Sequence, residues 1–351
     1  MIVPTTYGVA LALAILALLC WGSWANTFKL AGKWRFELFY YDYSFGIVLA
    51  AVVAAFTLGS LGNELSFSDN FLIAGRLKTA AGFASGLLLN LAGFLILAAV
   101  SVAGLAVGFP LAFGVGIVVA TVWGAFSGSP AGARLWIGVV LVLIAVVLDA
   151  TAWLFDAPSR KPALVEDPPT PQRGVRAPVK AKANRPSGTK AVLLGVAGGI
   201  LMGAFSPLAA WAREGDNGLG PYSLGLLLSL GVFMSTFIYN IYFLNLPVQG
   251  RALGMAQYFS GTRKQHLLGL VGGIVWCAGL LAVLAEQSAP QRVQPSPVLS
   301  FGLIQATPLL AALWGIFAWK EFRGAGTTVK VMLAAMFPLF AGGVLLIGMA
   351  G

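Results

Sequence analysis

Ten apolar runs, each long enough as a helix to cross a hydrocarbon core of about 30 Å, leave this chain few ways to fold. They fall at 7–28, 39–58, 79–100, 104–124, 135–155, 191–211, 222–242, 266–285, 298–319 and 329–349, and define helices 1 to 10. Lipid offers no partners to backbone N–H and C=O groups, so each run must satisfy its own. The expected fold is therefore all-α, a membrane protein of ten transmembrane helices. Pro110, Pro207, Pro308 and Pro338 lie inside runs, where neighbouring helices can re-satisfy the freed groups. Composition agrees: 10% of the residues are charged, against about 25% in soluble chains.

The formal charge of +10 suggests nucleic acid, but the placement of the basic residues argues for membrane topology instead. Of the 22 Lys and Arg, 17 belong to connections after odd-numbered helices and 5 to connections after even-numbered ones. The positive-inside rule then puts the odd connections in the cytoplasm and both termini outside, in a multi-pass plasma-membrane protein (a bacterial inner membrane). No basic segment precedes Tyr7, so the first run reads as a retained helix rather than a cleaved signal. The connection 156–190 holds seven prolines and eight basic residues, too polar to build a core. It is expected to be a disordered cytoplasmic linker between a first half at 1–155 and a second at 191–351, a solubilising topological anchor in preference to a segment that binds anionic membrane lipid. Its Ser187-Gly188-Thr189-Lys190 lacks the glycine spacing of a phosphate loop.

The halves echo one another. Tyr43-Ser44-Phe45-Gly46 matches Tyr222-Ser223-Leu224-Gly225, Gly86 and Gly93 match Gly272 and Gly279, and Trp123-Gly124-Ala125-Phe126 matches Trp314-Gly315-Ile316-Phe317. The offsets run from 179 to 191, in one order. Five helices per half make the second enter from the opposite side, so two inverted five-helix repeats are expected. Glycines at 82, 86 and 93, and at 269, 272, 273 and 279, let helices 3 and 8 approach their neighbours closely.

Polar groups inside the runs are the functional candidates, because hydrocarbon cannot satisfy them. Helix 1 breaks into Trp21, Ser23, Trp24, Asn26 and Thr27, with indoles three residues apart on one face. Asn90 in helix 3, Ser206 in helix 6, Trp276 in helix 8, and Gln305 with Thr307 in helix 9 complete the set. Indole faces and uncharged amides or hydroxyls suit a small neutral solute with hydrogen-bonding edges. An interfacial aromatic belt and hydrogen bonds between helices are the alternatives. Carboxylates are scarce: Glu37, Asp42, Asp149 and Glu286 are the coupling-ion candidates, and none lies at the midplane, so proton coupling stays open. Glu37 follows Arg35 and Lys33 closely enough for a local ion pair, and His266 reads as an ordinary solvated residue. Two separated cysteines imply neither a disulfide framework nor a metal site, and no HExxH, carboxylate pair or Ser/His/Asp set points to an enzyme or a cofactor. The partner implied is a small-molecule substrate, and nothing in the sequence speaks to oligomeric state.

WGSWANTFKL, GKWRFELFYYDYS, AREGDNGLGPYS and LWGIFAWKEFRGAG, spread over both halves, resemble the plant ureide permease family and its bacterial relatives, within the drug/metabolite transporter superfamily. The resemblance implies a ten-helix secondary transporter of allantoin, uracil and related oxo-heterocycles, working by alternating access and often with protons. Plant members are described with a phosphate-loop-like stretch in the central connection, which this chain lacks. Sugar porters, including rhamnose transport proteins, share the ten-helix plan more distantly, so a sugar remains the alternative substrate.

Overall fold

The structure, a computed structural model, describes residues 1–62, 64–129, 131–159 and 188–350. Every expected run is a helix long and apolar enough to span a membrane: Tyr7–Leu30, Phe36–Phe56, Arg76–Ala103, Leu105–Phe126, Ala133–Ser159, Gly188–Arg213, Pro221–Asn245, Arg263–Glu286, Pro297–Ala318 and Thr327–Gly348. They keep the names helix 1 to helix 10. The linker expected at 156–190 lies mostly outside the described residues.

Two helices are interrupted. Helix 1 is α-helical over Tyr7–Ser23 and again over Asn26–Leu30, with a turn at Trp24 and Ala25 between. Helix 9 stops at Gln305, restarts over Thr307–Leu313 and finishes in a π-helical turn at Trp314–Ala318. Pro308 explains part of this second break, since proline cannot donate the backbone bond that would run through Ala306. Interrupted helices free backbone carbonyls and amides, tolerated in a membrane only where protein or a cavity receives them. Gly104, at φ 93°, makes the whole connection between helices 3 and 4, a conformation that only glycine adopts without strain.

Alternate connections gather on opposite faces. On one face, Met1 donates to the Glu64 and Leu65 carbonyls, Asn70 to that of Gly218, and Lys78 to that of Trp211. On the other, Arg35 reaches the Arg251 carbonyl and Gln265 that of Ala31. The N-terminus thus shares a face with the even connections, as an even number of crossings requires.

Helix packing repeats between the halves. Helix 3 lies against helices 6 and 7, and helix 8 against helices 1 and 2. Helices 5 and 10 pair with each other, as do helices 2 and 7. Each relation maps onto another, or onto itself, when helix n is exchanged with helix n+5. Glycine sets the closest crossings: a Cβ on Gly86 would collide with the Leu228 carbonyl, and one on Gly273 with the Tyr43 carbonyl. Backbones this close gain dispersion contact, which drives helix association where lipid supplies no hydrophobic force.

Candidate functional site

A cavity of about 260 Å³ runs from one face to mid-depth, lined by residues of helices 1, 3, 4, 6, 7, 8 and 9. Its mouth is on the face of the even connections, where Arg213 closes helix 6 and exposed Gln287 follows helix 8. Trp21, Trp24 and Trp276 supply aromatic wall, while Ser206, Gln305, Gln287 and Arg213 are its polar lining. The remainder is aliphatic or phenyl, including Phe113, Met202, Phe205 and Leu280.

The indoles are held firmly. Trp21 donates from Nε1 to the Trp276 carbonyl at 3.1 Å, and the two rings lie 6.3 Å apart. Trp24 stacks on Tyr43 at 4.7 Å and tilts against Phe109 at 6.1 Å. Below it Tyr40 stacks on Phe94, and Phe94 in turn on Phe243. This aromatic layer is the floor. Its rings are buried and lie between the cavity and the far face.

Ionic and hydrogen-bonded contacts seal the far face. Lys29 pairs with Glu321 at 2.7 Å, and the same carboxylate accepts from the Leu105 and Ala106 amides at 3.0 and 2.9 Å. Those amides are orphan donors at the start of helix 4, an intrinsic anion site. Glu321 therefore joins helix 1, helix 4 and the segment after helix 9. That segment leaves the π turn through Lys320 at φ 53°, a left-handed conformation uncommon for lysine. Trp319 beside it donates to Asn26 Oδ1 at 2.6 Å. Nearby, Arg35 pairs with Glu37 at 2.6 Å. Asp42 accepts from Tyr258 at 2.6 Å and meets His266 Nδ1 at 2.8 Å. Burial, then the bond to Asp42, raises the Tyr258 phenol above its ordinary range.

Of the residues singled out from sequence, Trp21, Trp24, Ser206, Trp276 and Gln305 line the cavity together. Asn26, Thr27, Asn90 and Thr307 are placed elsewhere. Asn26 Nδ2 caps the Ser23 carbonyl while its Oδ1 serves Trp319. The Thr27 and Thr307 hydroxyls bond carbonyls three residues back, at Trp24 and Ile304. Asn90 sits between helices 3 and 7, with Nδ2 facing the Val232 carbonyl, Ser235 and Thr236 at 2.8–3.1 Å.

The carboxylates differ sharply. Glu37 and Asp42 are paired as above. Glu286 is 2% exposed, accepts from Ser300 on one oxygen and has no hydrogen-bond partner on the other. Asp149 is fully buried, and neither of its oxygens has a hydrogen-bond partner. His266, read from sequence as an ordinary solvated side chain, is instead tied to Asp42 because helix 8 crosses helix 2 at Gly269. Sequence reasoning also missed Arg213, which counted only as a basic residue of a connection. Only the fold, which sets it over the cavity against Gln287 and Ser288, separates it from the other basic residues at helix ends.

No family model matches the chain. Curated relatives do. Ureide permease 2 of Arabidopsis thaliana is 24% identical over 95% of this chain and 94% of its own length. Ureide permease 4 is 24% identical over 95% of each chain, and ureide permease 1 is 24% identical over 95% of this chain and 94% of its own. A crystallised protein superposes with a TM-score of 0.54 at 15% identity, over 96% of this chain and 98% of that one, a likeness of fold alone. Several relatives of one name, each matching almost end to end, support assigning this chain to the ureide permease family.

Proposed function

We propose that this protein is a secondary transporter that moves a small neutral oxo-heterocycle, of the ureide or nucleobase kind, by alternating access. The observation that carries the reading is the cavity of about 260 Å³: indole-walled, reaching mid-depth, open at one face and closed at the other. Drug-sized ligands occupy pockets of about 300–1,000 Å³, so this volume suits a solute of one or two small rings. Indole faces suit a flat ring, and the amides of Gln305 and Gln287 offer both donors and acceptors to its edge. A sugar would require polar partners around its whole rim, whereas most of this lining is apolar. The names of the relatives point the same way.

With the odd connections in the cytoplasm, as the basic residues favour, the cavity faces outward and the Lys29–Glu321 contact is the cytoplasmic closure. The two five-helix halves then act as inverted repeats, one rocking against the other about the mid-depth site. We assign the coupling-proton role to Asp149, the one carboxylate among the described residues that is fully buried with neither oxygen hydrogen-bonded. Such a group has no hydrogen-bond partner to hold it, and an ionisable residue buried in a membrane helix marks an ion or proton path.

Thermal-shift screening of the purified protein against ureides, nucleobases, amino acids and sugars tests the substrate class, since a ligand that binds the native state stabilises it. Stabilisation by ureides or nucleobases is expected; stabilisation by sugars alone would replace the reading. Labelling in intact cells tests the orientation: Met349→Cys should react and Pro178→Cys should be spared.

A further inference from the structure

The mouth of the cavity holds a separated pair of opposite charges. Among the described residues, Arg213, at the end of helix 6, is the one charged residue that lines the cavity. Its guanidinium donates from Nη1 to Gln287 Oε1 at 2.6 Å and from Nη2 to Ser288 Oγ at 3.0 Å. Those are the two residues that follow Glu286. Glu286 itself is 2% exposed; Ser300, on the first segment of helix 9, takes one oxygen, and the other has no hydrogen-bond partner. Arg213 is thus held beside Glu286 by its two chain neighbours, yet no ion pair joins the guanidinium to that carboxylate. A buried carboxylate oxygen left unpaired beside an arginine bonded to neutral groups is an unfavourable arrangement, unless another state of the molecule uses it.

The opposite face shows the arrangement completed. Lys29, near the end of helix 1, is in contact with Glu321 there at 2.7 Å. Helices 1 and 6 are the first helices of their halves, and each is followed by a glycine with left-handed backbone, Gly32 at φ 70° and Gly215 at φ 79°. Each thus ends in a basic residue within four positions of a tight turn. At the closed face the basic residue has its acid; at the open face it does not. The acids occupy different places, after helix 9 and at the end of helix 8, so the two contacts are analogous in role rather than copies.

We propose that Arg213 and Glu286 form the outer latch of the transport cycle: on closure, Arg213 moves one step along helix 8, from Gln287 and Ser288 onto the free oxygen of Glu286. That contact draws the end of helix 6 against helices 8 and 9 and covers the cavity, while the Lys29–Glu321 contact opens. Both are positioning residues, which set access rather than recognise solute. The inference rests on the alternating-access reading but not on any particular substrate.

The test needs no solute. In a Cys20→Ser, Cys277→Ala background, Ala25→Cys reports opening of the inner face, since Ala25 lies just beyond Trp24 and is 2% exposed. Glu286→Gln keeps the bond to Ser300 but removes the charge, so the outer-closed state becomes rarer and Ala25→Cys should be labelled about tenfold more slowly. Arg213→Glu should do the same, and the double exchange Arg213→Glu, Glu286→Arg should restore the rate. A purely structural role would lower the melting temperature without slowing the labelling and without rescue by the exchange. Unchanged labelling in folded Glu286→Gln protein, or an exchange that fails to restore it, overturns the latch. If the latch holds while no ureide or nucleobase binds, it is the substrate reading that fails.

Discussion

Glu321→Gln is the sharpest perturbation of the closed face. The Glu321 side chain is 6% exposed and accepts from Lys29 Nζ and from the Leu105 and Ala106 amides. Glutamine keeps the shape and one acceptor oxygen, but presents an NH2 where the second oxygen met a donor. The lost term is one charge-assisted bond plus a weakened hold on the helix 4 terminus, about 1.5–3 kcal/mol. In the proposed alternating-access cycle this contact belongs to the inner-closed state, so the cost falls on that state alone. A difference of 1.4 kcal/mol is about tenfold in population, so the inner-open fraction should rise roughly 10- to 140-fold. Labelling of Ala25→Cys should accelerate by the same factor until the open state dominates. Equal labelling rates in well-folded protein with and without Glu321→Gln would refute the view that this contact closes the inner face.

Other outcomes follow from the same geometry. Asn90→Ala removes the amide that ties helix 3 to helix 7, so it should cost about 1–2 kcal/mol of stability, read as a melting temperature lowered by a few degrees, with solute affinity preserved. Gly273→Val places branched carbon against the Tyr43 carbonyl and should abolish folded, detergent-stable protein, whereas Gly32→Asn, at an exposed left-handed turn, should be tolerated. Trp276→Ala should weaken solute binding at least about tenfold and Trp276→Phe much less, because the phenyl ring retains most of the stacking surface; isothermal titration reads both. Asn26→Ala, which removes the acceptor of Trp319 rather than a cavity group, should leave solute affinity near normal and speed labelling of Ala25→Cys.

The ten spans were legible because length and hydropathy along the chain are what a bilayer selects, and each expected run overlaps its helix almost to the ends. Azimuth was not. Helix 8, apolar nearly all round, offers no amphipathic stripe to say which side faces a cavity. Depth alone therefore put Asn90 in the site, although helix 3 turns it toward helix 7. Asn26 was placed by its neighbours Trp21 and Trp24, but its oxygen is claimed by Trp319, 293 residues later in the sequence. Thr307 shows the local rule that a hydroxyl in a helix returns to a carbonyl three residues back. Arg213 escaped notice for the opposite reason: basic residues at helix ends are what topology demands, so one aimed into a cavity carries no distinguishing mark. Glu321, two residues past the ninth run, acquires its role only when the fold sets it on the start of helix 4.

Uptake by purified protein in sealed proteoliposomes tests the central claim most directly. Labelled allantoin and uracil, with a sugar as control, are presented with and without an inward proton gradient, alongside Asp149→Asn. The account predicts saturable uptake of a ureide or nucleobase, accumulation only when the gradient is imposed, and, in Asp149→Asn, exchange without accumulation. Uptake of the sugar alone, or no uptake of any of them by protein whose inner face still opens to labelling, would contradict it.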